Sequence, residues 1–249
     1  MGHVRAVQDG CTTRTRTSRT DRTRRAEGGL DVSTTAAEPR VRRIPRPRAD
    51  ALRNRERIVH AAREMFVEFG PEAALDEIAR RAGIGNATLY RHFPDRRSLV
   101  HDVVLSVMAR TAEQAERAAI EEDDPFAALR RFVHAAADER IGALCPMLSG
   151  TFDRDRPDLD AQRERLEGAV EGLMERARRT GQLRTDVAVG DLMVALSQLT
   201  RPLPGTGCVD MDRFTHRHLQ LFLDGLAAPA RSVLPGKAAT LEDLRRAAP

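Results

Sequence analysis

Apolar residues recur at helical spacing from residue 50 onward. Ile58, Ala62, Met65, Phe66 and Phe69 fall on one stripe with a period of about 3.6 residues, which predicts an amphipathic helix that Gly70-Pro71 stops. A shorter stripe, Leu75, Ile78, Ala79 and Ala82, ends at Gly83. Leu89 and Phe93, four apart, mark a third helix. A fourth opens near Pro94 and carries Leu99, Val103 and Val107 inward. Longer helical patterns follow over 125–148, 158–180, 186–200 and 210–227. Asp123-Asp124-Pro125, Pro157, Gly181 and the run from Pro202 to Gly207 separate them. No segment reads convincingly as a strand, and no internal repeat is visible. The expected fold class is all-α.

Composition supports that class. Alanine, leucine and arginine dominate, and aromatics make up only 4% of the chain. The net charge of +4 misleads, because residues 1–49 hold 12 arginines against five acidic residues. That balance of +7 leaves −3 for residues 50–249. The first 49 residues show no period and contain prolines at 39, 45 and 47, so they read as a disordered basic extension. The extension is either an arm that adds sequence-independent affinity for DNA or a dispensable addition.

Three short helices with a glycine at the second turn describe a helix-turn-helix unit. Ala79 is small where the second and third helices must cross, Gly83 relaxes the turn, and Ile84 plugs the gap beneath it. At 100° per residue, Leu89 and Phe93 lie about 40° apart and define the buried side of the third helix. Arg91 then points nearly opposite, Ala87 and Thr88 face outward, and Tyr90 and His92 fall on the two flanks. A helix seated in a major groove shows its outer and N-terminal residues to bases, and its flanks to the phosphate walls. Tyr90, the only tyrosine in a chain without tryptophan, has a hydroxyl that can donate to a phosphate oxygen. Half-buried packing is the competing role for Tyr90, and a plain surface histidine the competing role for His92. Arg96 and Arg97 either meet phosphate or form a solvated helix start, and the same choice stands for Arg53, Arg55 and Arg57.

Residues 52–104 resemble the DNA-binding domain of the TetR family of bacterial regulators. The resemblance rests on "LDEIARRAGIGNATLYRHFPDRRSLV", residues 75–100: a short helix, an Ala-Gly-apolar turn, Thr-Leu-Tyr-x-His-Phe, then a basic residue opening the fourth helix. It implies DNA contacts from Thr88, Tyr90 and His92, a phosphate contact from Arg96, and Asn86, Ala87 and Arg91 as candidates at base edges. The sequence departs from the family pattern at both caps and at one contact position. Ala73 and Ala74 replace the hydroxyl residue that often caps the second helix, a loss of about 1 kcal/mol that Asp76 and Glu77 offset in part through the helix dipole. Gly85 replaces the frequent serine cap of the third helix, and Asp76 stands where some members carry a base-contacting cation.

The resemblance also implies a larger helical domain that dimerises and binds a small-molecule effector. Its expected organisation is a helix-turn-helix DNA-binding domain over 50–97, a regulatory and dimerisation domain over 98–228, and a weakly ordered tail over 229–249, with one helical turn near Leu241 to Arg245. The implied function is a sequence-specific transcriptional regulator, a repressor released from a palindromic double-stranded DNA operator by its effector. The alternative is an architectural or ligand-independent DNA-binding protein. Candidate pocket walls are Leu105, Met108, Phe132, Leu144, Met147, Leu148, Phe152 and Leu173, with ordinary core as the competing role. The helix over 210–227 is apolar around much of its circumference, which requires burial by its own chain or by a partner. Leu192, Leu196, Leu199, Phe214, His218, Leu221, Phe222 and Gly225 are the candidates for a homodimer interface, with an intrachain core as the alternative.

Enzymatic function finds no support. No catalytic constellation, metal site or cofactor motif is expected: the seven histidines are scattered, and no P-loop, G-x-G-x-x-G or G-x-S-x-G occurs. Cys11, Cys145 and Cys208 are widely separated without a C-x-x-C, which points to a reducing, cytoplasmic location. No apolar run approaches the roughly 18 residues that span a bilayer, and the basic start lacks the apolar stretch of a secretory signal.

Overall fold

Helices form where the periodicity predicts them, except that the one expected over 125–148 is interrupted. The computed structural model describes residues 47–70, 72–144, 156–201 and 211–246. Helix α1 (Pro47–Phe69) begins with proline, whose fixed φ suits a first helical position, and ends at Gly70 with φ +81°. Helix α2 (Leu75–Arg81) has no side-chain cap at Ala74, as its sequence requires. Helix α3 (Asn86–His92) likewise starts from Gly85 without one. Helix α4 (Arg96–Glu121) is capped by Asp95, which accepts from the Ser98 N–H at 2.7 Å. Helix α5 (Pro125–Asp138) is capped by Asp124, which accepts from the Ala127 N–H at 2.6 Å.

The helix expected over 125–148 breaks. Glu139 closes α5, Arg140 takes φ +55°, and a single turn, α6 (Ile141–Leu144), follows. Left-handed arginine is unfavourable by itself, so the surrounding packing must hold it. Gly142 permits this turn to sit tightly on α8 (Val189–Leu199), and its N–H donates to Thr200 Oγ1 at 2.9 Å. Helices α7 (Pro157–Arg179) and α9 (Met211–Leu226) complete the bundle.

Within the compact unit Pro45–Pro249, one buried apolar cluster runs from Ile58 to Leu226. Helix α4 is its spine. It packs on α1 at one end and on α5 and α7 along its length. Ala112, Ala115 and Ala118 of α4 and Leu166, Val170 and Leu173 of α7 are all buried in this cluster. Polar contacts fix the register of that pair: His101 Nε2 lies 2.7 Å from Asp158 Oδ2, and Arg165 grips Glu116 at 2.7 and 2.8 Å. Helices α5 and α9 meet through His134 and His216, whose Nδ1 atoms lie 2.8 Å apart.

The segment beyond α9 is docked rather than loose. Buried Arg184 pairs with Asp186 and donates to the Gly225 and Ser232 carbonyls at 3.2 and 2.8 Å. The Ala239 N–H donates to Asp191 Oδ1 at 3.2 Å, and a further turn, α10 (Leu241–Arg246), packs on α8. Gly190 makes this approach possible, because a Cβ there would collide with the Ala239 carbonyl. Gly190→Ala should therefore release the segment, even though alanine gains about 1 kcal/mol of helix propensity over glycine. Limited trypsin digestion reads this at exposed Arg231 and Lys237. A docking loss of about 1.4 kcal/mol raises the open population roughly tenfold, and the cleavage rate with it. An unchanged rate would contradict the docking account.

Candidate nucleic-acid interface

The candidate interface centres on α3, and seven residues cannot hold a helix alone in water. Its position comes from its neighbours. Leu89 and Phe93 are each only 1% exposed, and Ala79 is fully buried where α2 passes beneath. Gly83 takes φ +65°, and the Ile84 N–H donates to the Ala79 carbonyl at 3.0 Å, closing the turn between the two helices.

Two arginines of α1 finish this construction, and sequence spacing alone did not assign them to it. Arg57 reaches the turn and donates to the Ala82 and Gly83 carbonyls at 2.5 and 3.4 Å. Those carbonyls end α2 and lack helical partners, so the guanidinium satisfies them. Arg55 donates to the His92 carbonyl at 3.3 Å and stacks 4.5 Å above the Phe93 ring. It also pairs with Asp102 of α4 at 2.6 Å. One guanidinium thus joins α1, the end of α3 and the start of α4. Of the three candidate phosphate-facing arginines on α1, Arg55 and Arg57 bond to other parts of the fold while staying partly or largely exposed, and Arg53 pairs with Asp50 on the surface. Arg96, expected at a phosphate, donates to the Ala73 carbonyl at 2.8 Å and ties the start of α4 to the loop before α2.

The outer face of α3 is open. Asn86, Ala87 and Arg91 are exposed, Thr88 is half-buried, and Tyr90 is 48% exposed. Among the described residues, neither Arg91 nor the exposed Arg97 makes an ion pair, whereas Arg80 pairs with Glu77 and Arg81 with Glu68. The two flanks are unequal. His92 is half-buried, and its Nε2 is enclosed without a hydrogen-bond partner among the described residues. Burial first, then repulsion from Arg91 and Arg55, holds its imidazole below the ordinary pKa of 6.5. A buried bare nitrogen costs less than a buried charge, so His92 is neutral at pH 7.

The remaining candidates divide by helix. Leu105 and Met108 are half-buried on α4, while Phe132 and Leu173 lie within the contiguous core. Met147, Leu148 and Phe152, with the side chain of Leu144, lie outside the described residues. Leu192 and Leu196 go to the intrachain core, the alternative left open for them, and Leu199 and Phe222 are half-buried. Phe214, His218, Leu221 and Gly225 form an exposed stripe along α9, with Phe214 at 49% and Leu221 at 58%. Among the described residues, no group of three or more His, Cys, Asp or Glu is placed to hold a metal ion. No described helix is long and apolar enough to cross a membrane.

This arrangement has known counterparts. Residues 58–103 match the family model for bacterial regulatory proteins of the tetR family. Residues 124–228 match the model for the C-terminal domain of SbtR-like transcriptional regulators. The HTH-type transcriptional repressor LfrR of Mycolicibacterium smegmatis is 38% identical over 91 residues, 34% of this chain and 45% of that one. The chain spans less than half the length of the curated relatives it matches. The crystal structure of the TetR transcriptional regulator SCO0520 from Streptomyces coelicolor is 29% identical, covering 71% of this chain and 99% of that one, with a TM-score of 0.55. A structure of LfrR in complex with proflavine, 23% identical over 69% of this chain and 96% of that one, shares the fold at a TM-score of 0.52.

The His92 environment sets a pH dependence. With its folded pKa depressed, the unfolded chain binds more protons below about pH 6.5, so stability is fully present above that value and declines as pH falls. Burial likewise depresses His134, so a variant must isolate the His92 share. Between about pH 7.5 and pH 5, the melting temperature of the wild type should fall further than that of His92→Gln. Parallel falls would show that His92 titrates without strain.

Proposed function

The chain belongs to the TetR family of bacterial regulatory proteins, and on that premise we propose that it is a sequence-specific DNA-binding transcriptional regulator acting as a repressor. The observation that carries this reading is the open outer face of α3, with Asn86, Ala87, Tyr90 and Arg91 presented by a helix whose opposite side is fully buried. In this reading Arg91, Asn86, Ala87 and Thr88 address base edges. Tyr90 donates its hydroxyl to a phosphate, and neutral His92 braces the other flank. Arg97 is the cation we place nearest the phosphate wall, while Arg96 acts by holding the helix start.

A dimer gives two such heads one palindromic operator. We place its interface on the α9 stripe of Phe214, His218, Leu221 and Gly225, because the large apolar side chains of Phe214 and Leu221 lack a cover among the described residues. The residues before α4 then form the DNA-binding domain, and α4 to α9 the regulatory domain. A small-molecule effector bound among α4 to α7 would favour a spacing of the heads that no longer matches the operator. It must bind that state more tightly by a few kcal/mol to release DNA. The family relationship and the proflavine complex of LfrR support an effector of this kind. The protein acts in the cytoplasm.

Selection of duplexes from a random library by the full chain tests the proposal. It should return a palindrome of two half-sites, and the absence of any enriched site would overturn specific reading. On that site, Tyr90→Phe should weaken binding roughly two- to tenfold on every sequence, the worth of one hydrogen bond. Arg91→Ala should instead relax preference at one position of each half-site. Equal effects of both substitutions across all sequences would undo the division between base and phosphate.

A further inference from the structure

We infer that Glu139 is a positioning residue that sets the pose of the α1–α3 head on the helical core. The part of this inference that concerns DNA rests on the function proposed above. Glu139 closes α5, where the helix dipole disfavours a carboxylate, and its side chain is only 6% exposed. Two arginines from different elements make that site tenable. Arg110 of α4 grips it through two hydrogen bonds, Nε to Oε2 at 2.9 Å and Nη2 to Oε1 at 3.0 Å. Arg63 of α1 donates to the same Oε2 through Nη1. The first contact joins two helices of the bundle, and the second reaches the head.

Three features give this triad more influence than an ordinary ion pair. Part of the seam between α1 and α4 is a cavity of about 600 Å³, lined by Val59, His60, Arg63, Asp102, Ser106 and Arg110 among others. Along that edge apolar packing leaves the seam open, and charged ties bridge it. The other bridge, Arg55 to Asp102, is more exposed than Glu139, and exposed pairs contribute little. Finally, Glu139 is followed by left-handed Arg140 and the short α6, whose Gly142 is seated on α8. A shift of α6 or α5 against α8 must move Glu139, and Arg63 carries that movement to α1.

The chain supplies its own reporter. Tyr90 is the only tyrosine and there is no tryptophan, so fluorescence anisotropy decay of the full chain without DNA reads motion of the head alone. Arg63→Met keeps the alkyl stem and leaves Glu139 held by Arg110, so it cuts only the tie to the head. It should about double the amplitude of the nanosecond segmental component, and Glu139→Gln should do the same. Arg165→Met, which breaks the surface pair between α7 and α4, should leave the decay unchanged. An unchanged decay in Arg63→Met, or an equal rise in Arg165→Met, overturns the inference. If Glu139→Gln fails to fold, the Arg63→Met comparison decides alone.

On a duplex selected by the wild type, Arg63→Met should lose roughly tenfold in affinity for two half-sites while staying within about twofold on one, because only the pair demands a fixed pose. Equal losses on both duplexes contradict a positioning role. Failure of the wild type to select any duplex would remove the proposed function, and the DNA-free decay would still decide the role of Glu139.

Discussion

A seven-residue helix has to be held from outside, and that constraint organises this protein. Leu89 and Phe93 supply the apolar anchorage of α3. The backbone groups left over at its ends and in the preceding turn need partners as well. Arg55 and Arg57 satisfy some of them from α1, so the longest helix of the head acts as a bracket for α3. With one side buried and the ends tied, the outer face can expose asparagine, tyrosine and arginine without having to contribute to stability.

The same logic extends down α4. That helix begins at the cap supplied by Asp95, beside the end of α3, and continues into the core against α5 and α7. Head and bundle therefore share one rigid element and one apolar cluster. What can differ between states is the angle at which α1 meets α4, since their seam is partly hollow and is spanned by charged groups. Ion pairs suit this task better than apolar packing, because they break and re-form over short displacements, while a close-packed core resists them.

Much of the fold could be read from the chain because helical periodicity reports burial directly. Leu89 and Phe93 fixed the buried side of α3, and Gly83 marked its turn. The roles of the arginines could not be read in the same way. Arg55, Arg57 and Arg96 look like surface cations, yet their long side chains reach carbonyls that only the tertiary fold brings within range. His92 is similar, since its enclosure depends on how α3 lies on its neighbours. The break in α5 was hidden because no glycine or proline marks Glu139-Arg140, and neither residue type signals the positive φ that Arg140 takes. Helices α8 and α9 show the limit of periodicity. Their leucines look alike in sequence, but Leu192 and Leu196 are buried within the chain while Leu221 is exposed.

In the proposed function, the exposed face of α3 meets DNA in a fixed orientation. A crystal structure of the full chain on its selected duplex measures this most directly. The account predicts α3 in the major groove, the Arg91 guanidinium within hydrogen-bond distance of base edges, and the Tyr90 hydroxyl on a phosphate oxygen. A complex in which DNA is held by residues 1–49 or by another face, with Tyr90 and Arg91 pointing into solvent, would contradict it.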